Sequence, residues 1–309
     1  MYSIGIDIGG TKIAIAIVNQ DGGVLVQSVI PTNLSIKPEE MIVNVTTEIA
    51  KLVEKSQVGL DQIVGIGIGA PGPLDSKSGL ITCPPNLPTW IDIPIVELIK
   101  QSFSLPVALE NDASMAALAE KWVGAGKTND SFVYMTISTG IGAGIIQDGR
   151  LLRGVKGNAG DIGHTVVDPS FGLCTCGQYG CLESIASGTA IAKRGSEIVG
   201  RTLSTQGVFD LYFEGHKEIV ALIDRIFLVL GVASVSIINT FDTEKIVIGG
   251  GVAKVGEPLF LAIKKYVKEY ALNPTGRRTE IIPAQLEQNA GVIGAAKLGF
   301  EINKKLKSE

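Results

Sequence analysis

The stretch SIGIDIGGTKIAIAIV, residues 3–18, sets two apolar runs, Ile4 to Asp7 and Ile13 to Val18, around a small glycine-containing loop. Each run reads as a strand and the loop as the turn of a hairpin. Beyond the Asp21-Gly22 turn, Val24 to Pro31 adds a third strand, which makes a meander. Pro38 to Ser56 then places Ile42, Val45, Ile49, Leu52 and Val53 on one helical face, and Val64 to Gly69 is the next strand. The same order recurs. Phe132 to Ile137, Ala143 to Gln147 and Leu151 to Gly154 form a second meander, followed by helices and a strand at Lys245 to Ile248. Val107 to Leu109 is a further strand, and Ile93 to Lys100, Asp112 to Trp122, Glu257 to Leu272 and Gly291 to Lys305 are further helices. Two such series in 309 residues predict an α/β protein of two domains.

Composition narrows the function. With 27 basic and 31 acidic side chains the chain has no electrostatic footprint for nucleic acid. Met1-Tyr2-Ser3-Ile4-Gly5 enters a strand without a basic start or a cleavage site, which predicts a cytoplasmic protein. Ile219 to Phe241 is the most apolar helix, but Asp224, Arg225, Ser234 and Asn239 interrupt it. It reads as a core helix and not as a membrane span.

Three glycine-rich loops invite phosphate. In Asp7-Ile8-Gly9-Gly10-Thr11-Lys12 the amides, the Thr11 hydroxyl and the Lys12 ammonium could cradle an anion, with Asp7 placed to hold Mg²⁺ through water; a plain tight turn is the alternative. Thr139-Gly140-Ile141-Gly142-Ala143-Gly144 is a second hairpin bare of bulky side chains. Gly249-Gly250-Gly251-Val252 ends a strand where α/β proteins bind ligands, and is assigned to the adenosine part of a nucleotide. Two look-alikes fail. The Gly140 loop leads to a strand where a dinucleotide fingerprint needs a helix, and Gly124-Ala125-Gly126-Lys127-Thr128 follows a helix where a P-loop needs a strand.

Glu110-Asn111-Asp112-Ala113 opens a helix, so its carboxylate is either a cap or a general base acting on a substrate hydroxyl. The phosphate loops favour the base. His164, Cys174, Cys176 and Cys181 have a spacing that suits one tetrahedral zinc ion with a closed, structural coordination shell. A disulfide between Cys174 and Cys176 would be strained. Cys83 receives no role, and His216, at a helix start, reads as a surface or capping residue.

Taken together, the Asp7 loop, Gly69-Ala70-Pro71-Gly72-Pro73, Pro85-Asn86-Leu87-Pro88-Thr89-Trp90, Glu110 to Ala113, Thr139 to Gly144, Gly163-His164, the cysteines ending in Cys181-Leu182-Glu183, and Ala186 to Ile191 resemble the ROK family of sugar kinases and repressors. The resemblance implies two actin-like, ribonuclease H-like domains with an interdomain cleft: a small one over 1–112 joined by the helix 291–309, and a large one over 113–290. It implies ATP with Mg²⁺, structural Zn²⁺, and a dimer or tetramer that binds sugar and nucleotide; the charge balance and the interrupted apolar helix set nucleic acid and membrane aside as partners. Asp112 resembles the catalytic base. Asn86, Asn111, Asp161, His164 and Glu183 resemble the residues that hold sugar hydroxyls, and Asp7, Gly9, Gly10, Thr11, Lys12, Thr139, Gly140, Gly250 and Gly251 line the nucleotide site. The implied reaction is phosphorylation of a hexose at C6, glucose first. Asp161 departs from the family's usual Glu, and its shorter arm could suit an N-acetylated hexosamine, or glucose through a bridging water. Other hexoses, fructose and allose among them, stay open. The family's repressors carry an added helix-turn-helix domain, whereas here a strand begins at Ser3 and Asp112 is retained, which favours the kinase. A chaperone-like ATPase would leave the cysteine loop unexplained.

Overall fold

Isoleucine at alternate positions decides which way the first sheet faces. In the computed structural model, which describes residues 1–286 and 289–306, the chain opens with β1 (Tyr2–Ile8), β2 (Lys12–Asn19), β3 (Val24–Pro31), α1 (Pro38–Ser56) and β4 (Ile63–Ala70). A small hairpin, β5 (Leu74–Asp75) and β6 (Leu80–Ile81), precedes α2 (Ile95–Lys100), β7 (Val107–Asn111) and α3 (Asp112–Val123). The sheet order is β3-β2-β1-β4-β7, antiparallel across the meander and parallel beyond it. Ile4, Ile6, Ile8, Ile13, Ile15, Ile17, Ile66 and Ile68 point to one face, where Met41, Ile42, Val45, Ile49 and Leu52 of α1 close a core.

The second series gives β8 (Phe132–Ile137), β9 (Ile141–Gln147), β10 (Arg150–Leu151), α4 (Leu182–Ala186), α5 (Gly188–Val199), α6 (Thr205–Phe213), α7 (Lys217–Phe241), β11 (Lys245–Gly249), α8 (Glu257–Tyr270) and β12 (Glu280–Pro283). Its order, β10-β9-β8-β11-β12, repeats that of the first sheet. The third strand of this meander is shorter than the sequence suggests: it stops at Leu151, and Gly154 turns away at φ +72°. By length and composition α7 could cross a membrane, but 56% of its apolar window is buried, with Ile219, Ile223, Ile226, Leu230 and Ile238 in the core of this unit. His216 stands at the N-cap of α7 but makes no cap bond, which corrects the capping alternative, and its Nδ1 has no hydrogen-bond partner among the described residues.

The last helix, α9 (Ala290–Leu306), packs on the other face of the first sheet. That face is built from Gly5, Gly65, Gly67, Ala14, Ala16 and Val18. A Cβ at Gly67 would run into the Ala295 carbonyl, and one at Gly5 into that of Val292, so helix backbone rests on strand backbone. Gly294 meets Met115 of α3 equally closely. The chain divides into one unit made of Met1–Lys127, Leu151–Ala159 and the described part of Leu286–Glu309, and a second made of Thr128–Arg150 and Gly160–Gln285. This moves the expected boundary from 112 to 127: α3 stays with the first unit because it packs against α9. Residues 307–309 of the expected closing helix lie outside the described residues.

Gly67→Ala is expected to lower stability by about 1–3 kcal/mol, because neither backbone can give way. Gly207→Ala, in α6 with its nearest neighbours at 3.6 Å, should be neutral or slightly stabilising. Urea midpoints of the two variants check the pair.

Candidate functional site

In the first unit the hairpin after β1 is closed by the Gly9 amide donating to the Lys12 carbonyl (2.9 Å) and by the Thr32 hydroxyl donating to the Gly9 carbonyl (2.7 Å). Thr11 and Lys12 are left exposed at its tip. Gly10 sits under Asn86, whose carbonyl oxygen would lie 2.7 Å from a Cβ there, so the loop and Asn86 are brought together. Asp7, ending the inward strand, lies against Gly291 at the start of α9. Burial pushes its carboxyl up to about 6, the charge of Asp112 adds to this, and Lys12 opposes it. A buried carboxylate whose ionisation is made costlier by a neighbouring carboxylate is a place where a cation is stabilising.

Where β7 runs into α3, both sequence alternatives hold, on different residues. Asn111 is the cap: its Oδ1 accepts from the amides of Ala113 (2.9 Å) and Ser114 (3.4 Å). Asp112 is the first helical residue, with Oδ1 accepting from Ala113 N at 2.7 Å. Its side chain reaches solvent, yet protein crowds it closely enough that desolvation raises its pKa, against the lowering effect of its amide bonds. A carboxylate with a raised pKa and a helix N-terminus behind it is suited to accept a proton.

Sequence reasoning missed the partner of Glu110. This buried carboxylate accepts from Arg153 Nε at 2.8 Å and from the Asn111 amide at 3.0 Å. The only sequence signal is an acidic residue inside a strand that is otherwise part of the core.

In the second unit a cavity of about 550 Å³ is lined by Ser138, Thr139, Gly188, Thr189, Thr205 and Gly251, among others. Thr139 and Gly251, assigned separately from the sequence, therefore meet in one cavity. Gly140 and Gly250 shape its loops without lining it; Gly250 adopts φ +88°, where a side chain would also strike the Ile137 carbonyl. The N-terminus of α5 opens onto the same space, with Gly188 N bonded to the Ser138 carbonyl (2.7 Å) and the Thr189 hydroxyl to that of Thr139 (2.8 Å). The twelve-residue helix starts at this mixed polar and apolar cavity, and its positive end favours an anionic group there. This contribution of α5 was not read from the sequence.

The ligand atoms of His164, Cys174, Cys176 and Cys181 all lie within 4.8 Å of one another. Cys174 Sγ is 3.6 Å from His164 Nδ1, and Cys176 Sγ is 3.6 Å from Cys181 Sγ. A tetrahedron with metal–sulfur bonds of about 2.3 Å and a metal–nitrogen bond of about 2.0–2.1 Å has edges of roughly 3.6–3.8 Å, so the donor set fits zinc. The turn is made by Cys174 N donating to Gln178 O (2.7 Å) and by Gly177 at φ +90°. The Gln178 amide draws the exposed Cys176 thiol down to about 7, whereas burial pushes Cys181 up to about 12. Three thiolates this close are stabilised together only by a cation.

Immediately after the last cysteine, Glu183 lies in the first turn of α4 and accepts from Ile141 N at 2.8 Å, so the cysteine loop is tied to the glycine loop after β8. Asp161 stands near: burial raises its pKa, His164 lowers it and Glu183 raises it. Asp161, His164 and Glu183 thus form one polar group within the second unit.

Two α/β units of matching strand order, glycine-rich hairpin loops and a His-Cys₃ loop accord with a sugar-kinase fold. The ROK family profile matches residues 3–301, and the chain belongs to that family. It is 35% identical to a glucokinase of Halalkalibacterium halodurans over 96% of this chain and 94% of that protein. It is 34% identical to an N-acetylmannosamine kinase of Shigella boydii, over 96% and 98%. Among solved structures, the ROK hexokinase of Thermus thermophilus superposes with a TM-score of 0.88 at 32% identity, with both chains fully covered. A ROK glucokinase of Streptomyces griseus, in complex with glucose and AMPPNP, gives 0.80 at 30% identity over 97% of this chain and 100% of that one.

Asp7 yields a pH prediction. Its folded value of about 6 exceeds the ordinary 3.8, so the fold holds this proton more tightly than the unfolded chain. The stability it contributes is complete below about pH 4 and is lost as pH rises through about 6. In magnesium-free buffer, Asp7→Asn should flatten that part of the melting-temperature profile; an unchanged slope would count against the assignment.

Proposed function

We propose that this ROK-family kinase transfers the γ-phosphoryl group of ATP to the C6 hydroxyl of a hexose, with glucose the first substrate. The observation that carries the reading is Asp112: a carboxylate at a helix N-terminus, with a raised pKa, beside Asp7 and the phosphate hairpin. The actin-like reading of both halves is supported by their repeated strand order. ATP supplies the transferable group and Mg²⁺ offsets its charge when bound. Asp7 would hold the magnesium ion, and Gly9, Gly10, Thr11 and Lys12 would steady the phosphates, when the nucleotide is bound. Thr139, Gly140, Gly250 and Gly251 receive the rest of the nucleotide, in and around the second unit's cavity. Asp112 takes the hydroxyl proton as that oxygen attacks phosphorus.

The family resemblance assigns sugar hydroxyls to Asn86 and Asn111 of the first unit and, separately, to Asp161, His164 and Glu183 of the second. Asn111 Oδ1 is engaged as a cap, which leaves its amide hydrogens to donate. His164 turns Nδ1 to the thiols, so Nε2 is the nitrogen left for sugar. The Cys₃His site holds structural Zn²⁺ and stiffens the carboxylate of Glu183, which serves discrimination among epimers. The short Asp161 favours, as the second reading, an N-acetylated hexosamine, a class to which one of the relatives' substrates belongs.

Asp112→Asn is expected to reduce turnover by about 10²-fold or more while sugar binding by calorimetry persists, because it keeps size and removes basicity; undiminished turnover would refute the base assignment. ADP release with Mg-ATP across glucose, mannose, fructose, allose, N-acetylglucosamine and N-acetylmannosamine, against a sugar-free control, identifies the substrate. Cys176→Ser should lose zinc, measured by elemental analysis, and weaken sugar affinity; full occupancy with normal affinity would show that the loop works without the metal.

A further inference from the structure

The segment Leu151–Ala159 belongs to the first unit although the chain on either side of it belongs to the second. It is held there at three places. Arg153 Nε donates to Glu110 Oε2 at 2.8 Å, Lys77 Nζ donates to the Val155 carbonyl, and Gly157 lies against Ser76, whose Oγ would be 2.8 Å from a Cβ at that position. The side chain of Glu110 is 1% exposed, that of Arg153 42%. Both oxygens of Glu110 are engaged, the second by the Asn111 amide at 3.0 Å. One buried carboxylate therefore grips the strap and also the backbone that presents Asp112. Two residues after the strap ends, past Gly160 at φ +111°, the chain reaches Asp161.

We propose that Glu110 and Arg153 are a positioning pair, in which the ion pair anchors the strap and sets the backbone at Asn111, fixing where Asp112 meets the substrate hydroxyl. This rests on the kinase reading given above. A buried carboxylate with one partner removed retains its desolvation cost, so loss of Arg153 displaces Glu110 and with it the Asn111 amide. A displacement on the order of 1 Å at a reacting group costs about 10²-fold in rate. Arg153 differs from Lys in supplying a planar, directed Nε–H, so a lysine restores the charge and only part of the geometry.

The test uses the full-length enzyme with its best sugar and Mg-ATP. Arg153→Met should lower kcat about 10- to 100-fold with the KM for ATP within about twofold, and Arg153→Lys should recover part of the loss. Combining Glu110→Gln with Arg153→Met should do no more damage than the worse single change, because the two act as one unit. Amide hydrogen exchange over 154–159 should quicken in Arg153→Met. Wild-type kcat in Arg153→Met, additive losses in the double variant, or unchanged exchange in the strap would each overturn the proposal. If the wild-type protein phosphorylates no sugar, the kinase reading fails, while the exchange measurement still decides whether the pair anchors the strap.

Discussion

Backbone-to-backbone contact between α9 and the glycine face of the first sheet is the constraint on which the rest of the first unit depends. Gly5, Gly65 and Gly67 put no side chain between strand and helix at three points, so α9 backbone rests there on strand backbone. Two functional groups inherit their places from this. Asp7 ends the strand that α9 covers and abuts Gly291, and α3, which carries Asp112, is seated by Gly294 against Met115. Bulkier residues on that face would lift α9 away from the strands and from Asp7.

The second unit solves a related problem by a different route. Its polar group is held by a loop that buries the thiols of Cys174 and Cys181 beside a half-buried histidine and leaves that of Cys176 exposed. The donor geometry suits a metal, and the first helical turn after Cys181 brings Glu183 to the amide of Ile141. A single carboxylate thereby joins the cysteine loop to a glycine loop. The hydrogen bond from Ile141 N to Glu183 ties the two loops directly, without packed apolar area between them.

How much of this the residues disclose in advance follows from the range of the forces involved. Strict alternation in β1 and β2 and the 3.6-residue period of α1 are local, and Val24–Pro31, Pro38–Ser56 and Phe132–Ile137 fall where the pattern puts them. The His-Cys₃ set was legible because ligand spacing is itself local. Glu110 meeting Arg153 was not, since 43 residues separate them and nothing near either names the other. The same holds for the gathering of Thr139, Thr189, Thr205 and Gly251 around one cavity. Short elements such as β12 and α4 carry too few residues for a period to show, and the unit boundary at 127 depends on how α3 packs rather than on any change in composition.

The seating of α9 also sets an order of events during synthesis. The first strand leaves the ribosome early, but the face formed by Gly5, Ala14, Ala16 and Gly67 stays uncovered until residues near 292–299 have been translated. The second unit, whose chain ends at Gln285, has all its strands available before then. The usual vectorial order is thereby reversed: of the two units, the one whose strands come earlier in the chain has its glycine face covered by the later segment.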